Sequence, residues 1–208
     1  MSSSSLPTAT LGLRGRLKVA TRAAILNAAE SVFARDGASQ VRMEEIALAA
    51  GVAVGTLYNY FRDRSALVGA LLESRTSMLL GGLDAAVQHD AFFIERLAGF
   101  VQVLCDHFEA NRSLLSVLLD EESRQGHDVA TASRRRSLTR EILIRAERLM
   151  SDGVRAGALR AADPASYAAM LVGMARGAVV MRTGSAGGAP LGDVAPEMVR
   201  VFLHGASK

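Results

Sequence analysis

The stretch from Val41 to Phe61, VRMEEIALAAGVAVGTLYNYF, limits what this chain can fold into more than any other part of it. Met43, Ile46, Ala47 and Ala50 recur at helical spacing and form one apolar stripe. Gly51 follows where the chain must turn sharply, and only a residue without Cβ takes a left-handed backbone there at little cost. Val52 then plugs the gap between two helices. The second helix starts near Val54, with Leu57 and Phe61 four apart and facing inward. At about 100° per residue, its opposite face carries Gly55 and Asn59, flanked by Thr56 and Tyr58. The pattern is a helix-turn-helix, and a short second helix that turns small, hydroxyl and amide groups outward suits a DNA groove better than a protein core.

Between Thr21 and Leu71 the sequence resembles the DNA-binding domain of the TetR family of bacterial transcriptional regulators. The matching residues are Phe33, Gly37, Ile46, Ala47, Ala50, Gly51, Val52, Gly55, Thr56, Leu57, Tyr58, Tyr60, Phe61, Ser65, Ala66 and Leu67. The run Ala-Gly-Val-x-x-Gly-x-Leu-Tyr-x-Tyr-Phe fixes many positions at fixed spacing, whereas the remaining two thirds match in architecture only. The resemblance implies an all-α protein in which an N-terminal three-helix DNA-binding domain with a helix-turn-helix is followed by a helical C-terminal ligand-binding and dimerisation domain. It also implies that Gly55, Thr56 and Tyr58 touch bases or backbone in the groove and that Asn59 and Tyr60 touch phosphates. Arg64 stands where a phosphate-binding Lys is usual. Two positions depart from the pattern. Arg42 replaces a common Thr cap and cannot accept a hydrogen bond, although its charge can reach a phosphate. Val54 replaces a polar or basic residue and can only pack on a thymine methyl.

Composition supports a helical chain with a sizeable core. Half of the 208 residues are apolar, Trp is absent, and Ala, Leu, Val, Met and Arg dominate. Cys105 is the only cysteine, so an intrachain disulfide is impossible and a reducing cytoplasm is the natural compartment. The Ser-rich start lacks the apolar segment of a secretory signal. The run Ala168 to Met181 is too short to cross a bilayer and is interrupted by Arg176, which implies no membrane association. A net charge of +3 says little about nucleic acid, but Arg14, Arg16, Lys18 and Arg22 lie in a stretch without acids. Beside a helix-turn-helix that patch suits phosphate or minor-groove contacts; otherwise it is a solvated tail.

The expected organisation is a disordered arm (residues 1–16), a reading domain (17–63) and a regulatory and dimerisation domain (64–208). A first helix is expected from Lys18 to Arg35, ended by Asp36-Gly37. Asp63 is the cap of a helix from Arg64 to Leu80, with Gly81-Gly82 a break or kink. Further helices are expected over Ala91–Glu109, with Phe92 and Phe93 inward, and over Ser113–Glu122. Ser123 to Val129 reads as a loop and Ala130–Ala156 as a long helix ended by Gly157. Asp163-Pro164 starts a helix to Thr183, Gly184 to Gly192 reads as a hinge, and Val194–Leu203 is the last helix.

Enzyme chemistry finds no support: the histidines are scattered, no phosphate loop or nucleophile elbow is present, and Asp120-Glu121-Glu122 reads as a solvated helix end. No cofactor or metal is implied. Phe100, Leu104, Phe108, Met170 and Met174 are candidates for an apolar effector pocket or for simple core. Ala169, Gly173 and Gly177 form a small-residue ridge that lets another helix approach closely. With Arg176, Val180, Val199 and Phe202 they are the expected homodimer interface. Arg176, expected to be buried, needs either a carboxylate partner or an acidic ligand. The reading that follows is a repressor on a palindromic double-stranded operator, released by a small, mostly apolar effector. The alternative is a DNA-associated helical protein governed by a protein partner.

Overall fold

The structure, a computed structural model, describes residues 12–36, 41–111, 129–183 and 190–206. Among them are eight helices and no strand: α1 (Leu13–Asp36), α2 (Met43–Ala49), α3 (Val54–Tyr60), α4 (Arg64–Gln88), α5 (Phe93–Ala110), α6 (Val129–Arg155), α7 (Pro164–Thr183) and α8 (Leu191–Ala206). The expected all-α class is what is found. The chain divides into two compact units after Glu73, within α4 and ten residues beyond the expected boundary. The first turns of α4 bury Leu67, Val68 and Leu71, which explains why they stay with the first unit. Outside the described residues fall the first eleven residues of the arm, the Gly37 helix end, the Ser113–Glu122 helix with its acidic run, nearly all of the following loop, and Gly184 to Gly188.

In the first unit, α1 begins at Leu13 rather than Lys18, so residues 13–16 of the expected arm are helical. Leu, Arg and Lys are good helix formers and outweigh the single Gly15. The buried stripe of α1 is Ile25, Leu26, Ala29, Val32 and Phe33, against which Ile46 and Ala47 of α2 and Leu57 of α3 complete a small core.

In the second unit, α6 packs along α7 and α5 along α8. Their shared core holds Leu97, Phe100, Val101 and Leu104 of α5, Ala146, Leu149 and Met150 of α6, and Leu171 of α7, with Leu79 and Leu83 of α4. Two arginines fasten the helices. Arg96 of α5 donates to the Asp152 carboxylate of α6 at 2.7 Å and to the Val87 carbonyl. Arg145 of α6 donates to Asp84 of α4 at 2.9 Å and to Glu141 at 2.8 Å. Cys105 sits in this core, and burial pushes its thiol up to about 11, so it stays protonated and serves as a small apolar residue.

Helix ends follow local chemistry. Asp163 accepts bonds from the Ala165 and Ser166 amides, both at 3.2 Å, and from the Ser166 hydroxyl at 3.0 Å. The hydroxyl, then the amides, hold that carboxyl below its usual range. Gly157, at φ +71°, ends α6 as expected. The Leu191 amide opens α8 three residues before the expected start by donating to Glu109 of α5 at 3.2 Å.

Three expectations fail here. Gly81-Gly82 does not interrupt α4, which continues to Gln88; at Gly82 a Cβ would meet Val103 at 3.0 Å, so the residue serves close helix contact. Phe92 is 83% exposed, because α5 starts at Phe93 and turns that ring inward instead. Arg176, expected to be buried, is exposed, as are Met170 and Met181 of the same expected stripe. The inward face of α7 is instead Tyr167, Ala168, Leu171 and Ala175.

His107 of α5 is lowered to about 4 from its ordinary value of 6.5, first by burial and then by the Arg75 charge. The unfolded chain therefore binds this proton first as pH falls. Stability is intact above pH 6.5 and declines as pH drops towards 4. His107→Gln should flatten the acid limb of a urea-denaturation pH profile in that window. The Phe93 ring leaves no space at Gly153, where a Cβ would lie 2.5 Å from it, whereas a Cβ at Gly173 meets nothing within 4 Å. Gly153→Ala should cost about 1–3 kcal/mol in chemical denaturation by overpacking, whereas Gly173→Ala, in a helix interior with open space, should stabilise the isolated subunit by about 0.5–1 kcal/mol.

Candidate nucleic-acid interface

The turn between α2 and α3 fixes what the second helix presents. Gly51 adopts φ +67°, its amide donates to the Leu48 carbonyl at 3.1 Å, and the Val52 amide reaches back to Ala47 at 3.0 Å. This double closure satisfies carbonyls at the end of α2 and sends the chain sharply into α3. At the start of α2, Arg42 makes no side-chain cap. The Glu45 carboxylate instead accepts from the Arg42 amide at 3.0 Å, leaving the exposed guanidinium uncommitted to capping. Glu three residues after the cap is a readable signal that the sequence reading passed over.

Within α3, Leu57 is fully buried and Phe61, directly after the helix, is buried beside it. Their burial turns the rest of the helix outward. Tyr58 is 44% and Val54 37% exposed, Gly55 and Asn59 are exposed, and Thr56 and Tyr60 are half-buried. Nothing lies within 4 Å of where a Gly55 Cβ would sit, so the glycine is not required by internal packing.

The edges of this helix are pinned by aromatic–cation contacts. The Arg22 guanidinium of α1 lies 5.5 Å from the centre of the Phe61 ring, and that of Arg64 lies 5.5 Å from the Phe33 ring. Arg64 is thus half-buried with part of its side chain committed to the core. Asp63 caps α4, accepting from the Ala66 amide at 2.7 Å. Arg22 was named in the sequence only as part of a basic stretch. Its proximity to Phe61 across nearly forty positions has no local signal.

The sites expected in the second unit are placed as follows. Phe100 and Leu104 are fully buried, and Phe108 and Met174 partly so. Met170 is 60% exposed on the opposite face of α7 and is not part of that interior group. Ala169, Gly173, Arg176 and Gly177 are all exposed and form one outward ridge. Val199 and Phe202 are buried in the chain's own core, with the Phe202 ring edge-on to Tyr167 at 6.0 Å. The side chain of Val180 lies outside the described residues. A groove of about 370 Å³ runs along α6 beside Ile144, Glu147, Arg148, Ser151, Asp152 and Arg155.

Comparison with known proteins bears on the same segment. Residues 25–71 match the family described as bacterial regulatory proteins, tetR family. The chain is 30% identical over 188 residues to the HTH-type transcriptional repressor SCO4008 of Streptomyces coelicolor, covering 89% of this chain and 85% of that protein. It is 30% identical over 105 residues to the fatty acid metabolism regulator protein of Bacillus subtilis, covering 50% of this chain and 53% of the relative, so that match spans about half of the relative's length. A transcriptional regulator from Cytophaga hutchinsonii superposes with a TM-score of 0.75 at 19% identity, over 93% of this chain and all of that one. The regulator FadR from Bacillus subtilis, solved with stearoyl-CoA, superposes with a TM-score of 0.64 at 22% identity, over 88% of this chain and 98% of that one. Among the described residues no helix is long and apolar enough to cross a membrane.

Side chains on the two faces of α3 should respond oppositely to truncation. Leu57→Ala should destabilise the first unit by about 2–5 kcal/mol in thermal or chemical denaturation. Tyr58→Ala and Gly55→Val should leave the melting curve and the circular dichroism spectrum nearly unchanged, while each abolishes or strongly weakens binding to a specific DNA site in fluorescence anisotropy. Wild-type affinity in the Tyr58 variant would place the reading surface elsewhere.

Proposed function

Because the chain belongs to the tetR family of bacterial regulatory proteins, we propose that it is a homodimeric repressor that binds a palindromic operator and is released by a small, mostly apolar effector. The reading rests on one observation above all: Leu57 and Phe61 are buried while Val54, Gly55, Tyr58 and Asn59 stand open on a short helix after a tight turn. A helix so presented fits the major groove. Gly55 permits close approach, Val54 and Tyr58 offer apolar contact to a thymine methyl, and Thr56, Asn59 and the Tyr58 and Tyr60 hydroxyls offer bonds to bases or phosphates. Arg42 and Arg64 add charge at the flanks.

Two such heads, related by a two-fold axis, would read half-sites about 34–36 Å apart or a multiple of that distance. The open ridge of Ala169, Gly173 and Gly177 supports a second copy of the chain as the partner, since small side chains let two helices approach closely. Arg176 on the same ridge is then available for a carboxylate of the other subunit. Phe100, Leu104, Phe108 and Met174 support an apolar site in the body. A similar fold has been solved with stearoyl-CoA, and another, SmeT, with triclosan; triclosan is largely apolar and stearoyl-CoA joins a long apolar acyl chain to a polar, charged head. A ligand of that kind would act by preferring the conformer whose heads no longer match the operator spacing. The compartment consistent with this role is the cytoplasm.

Selection of genomic fragments on the purified protein, followed by sequencing, should recover one palindromic motif. Recovery of unrelated fragments only would overturn the reading. With that motif as probe, an effector should weaken binding by about 5–150-fold. A panel of acyl-CoAs and aromatic amphiphiles read by anisotropy checks this, and a uniformly inactive panel would shift weight to a protein partner.

A further inference from the structure

We infer that the N-terminal overhang of α1 is a second DNA contact, a helical basic arm that binds phosphates flanking the half-site read by α3. The inference rests on the DNA-binding reading above and extends it to residues before position 25, where the match to the family begins.

The argument begins with the phase of the helix. Residues four apart stack in one slowly turning line, and Arg14, Lys18, Arg22 and Leu26 are such a line. Leu26 is buried in the core of the first unit, so the line continues the core-facing side of α1 past the end of that core. The adjacent line, Leu13, Leu17 and Thr21, leads into the fully buried Ile25 but turns by about 40° at each step, which carries Leu13 and Leu17 off the core side. Along the basic line, the core face of α1 therefore runs on into the overhang. There it is uncovered: Arg14, Lys18 and Arg22 are all exposed.

Two features select the occupant. The first is charge. Four basic residues and no acid occur between Leu13 and Asn27, and the first acid on α1 is Glu30. The second is continuity with the reading helix. Arg22 lies over the ring of Phe61, the residue that ends α3, so the basic line starts beside the end of the helix proposed to enter the groove. From Arg22 the overhang extends about 13 Å to Leu13, with successive cations of the line about 6 Å apart along the axis. That spacing is comparable to the separation of successive phosphates along one strand. Arg16, two residues from both Arg14 and Lys18, points about 200° away and belongs to the other side of the helix.

The test compares the wild-type chain with Arg14→Gln/Lys18→Gln and with Arg16→Gln. Anisotropy measures affinity for a mixed-sequence duplex and for the genomically selected palindrome over a range of salt, and circular dichroism checks that each variant is folded. If the arm binds phosphates, the double variant lowers the slope of log K against log salt by about 2. It does so on both duplexes and leaves the preferred motif unchanged, while Arg16→Gln leaves the slope as in wild type. An unchanged slope in the folded double variant overturns the arm alone. So does an equal fall per charge removed in Arg16→Gln, which would mean a diffuse charge effect. A double variant that loses binding to phosphatidylglycerol vesicles but not to DNA would assign the face to an anionic membrane and also overturn it. Absence of salt-dependent DNA binding in the wild type overturns the proposed function itself, and the arm with it.

Discussion

The left-handed turn at Gly51 is the constraint from which the rest of the first unit follows. A φ of +67° is almost free for glycine and costs other residues roughly 1–2 kcal/mol. It permits two amides, those of Gly51 and Val52, to close back onto α2 while the chain leaves at a steep angle. The angle decides which side of α3 meets the core. With Leu57 and Phe61 inward, helical geometry leaves Gly55, Tyr58 and Asn59 outward, and the character of the exposed face is settled before any ligand is considered. α3 is too short to persist alone, since a helix of under about 12 residues is marginal in water. Its order comes from the single stripe it buries against α1 and α2.

The second unit depends on a different device. Its helices are long, and their core is of ordinary Leu, Val, Met and Phe, which attract without specifying a register. The two ion pairs supply one. Arg96 joins α5 to Asp152 of α6, and Arg145 joins α6 to Asp84 of α4, with both arginines largely withdrawn from water. A withdrawn guanidinium costs several kcal/mol unless it is matched in geometry, so sliding any of these helices by one turn would strand a charge. Gly153 and Gly82 add steric register to the electrostatic one, because a ring and a branched side chain occupy the space a Cβ would need.

What the sequence disclosed and what it hid divide along the same line. Local rules disclosed the Gly51 turn, the Asp163-Pro164 start and the Gly157 stop, because each is decided within a few residues. Local rules misjudged Gly81-Gly82: glycine reads as a breaker, but whether a helix tolerates it depends on a neighbour such as Val103 that lies elsewhere in the chain. The same holds for Phe92 and Phe93, two adjacent aromatics at a helix start, where only the gap at Gly153 decides which ring turns inward. On α7 and α8, periodicity alone does not tell the chain's own core from a subunit face. Met170 was placed inside and is outside, while Val199 and Phe202, expected at an interface, are buried within the single chain. The outward face of α3 was legible because the Gly51 turn fixed its phase in advance.

On the proposed reading, the chemistry of that face also bears on how an operator is told from other DNA. A bidentate side-chain contact in the major groove discriminates by about 1–3 kcal/mol, and α3 carries few groups able to make one. Val54 and Gly55 offer no hydrogen bond, and the Asn59 amide stands at the far end of the helix from them. Each head therefore draws its selectivity from methyl contacts, from a small number of hydroxyl bonds and from the local shape of the duplex. Such a head gains discrimination chiefly by acting twice. Two modest half-site preferences add in free energy only when the body holds both heads at the operator spacing. A protein whose reading helix is this sparing of hydrogen bonds is for that reason more sensitive to a change in head spacing than one whose single head already binds tightly and specifically.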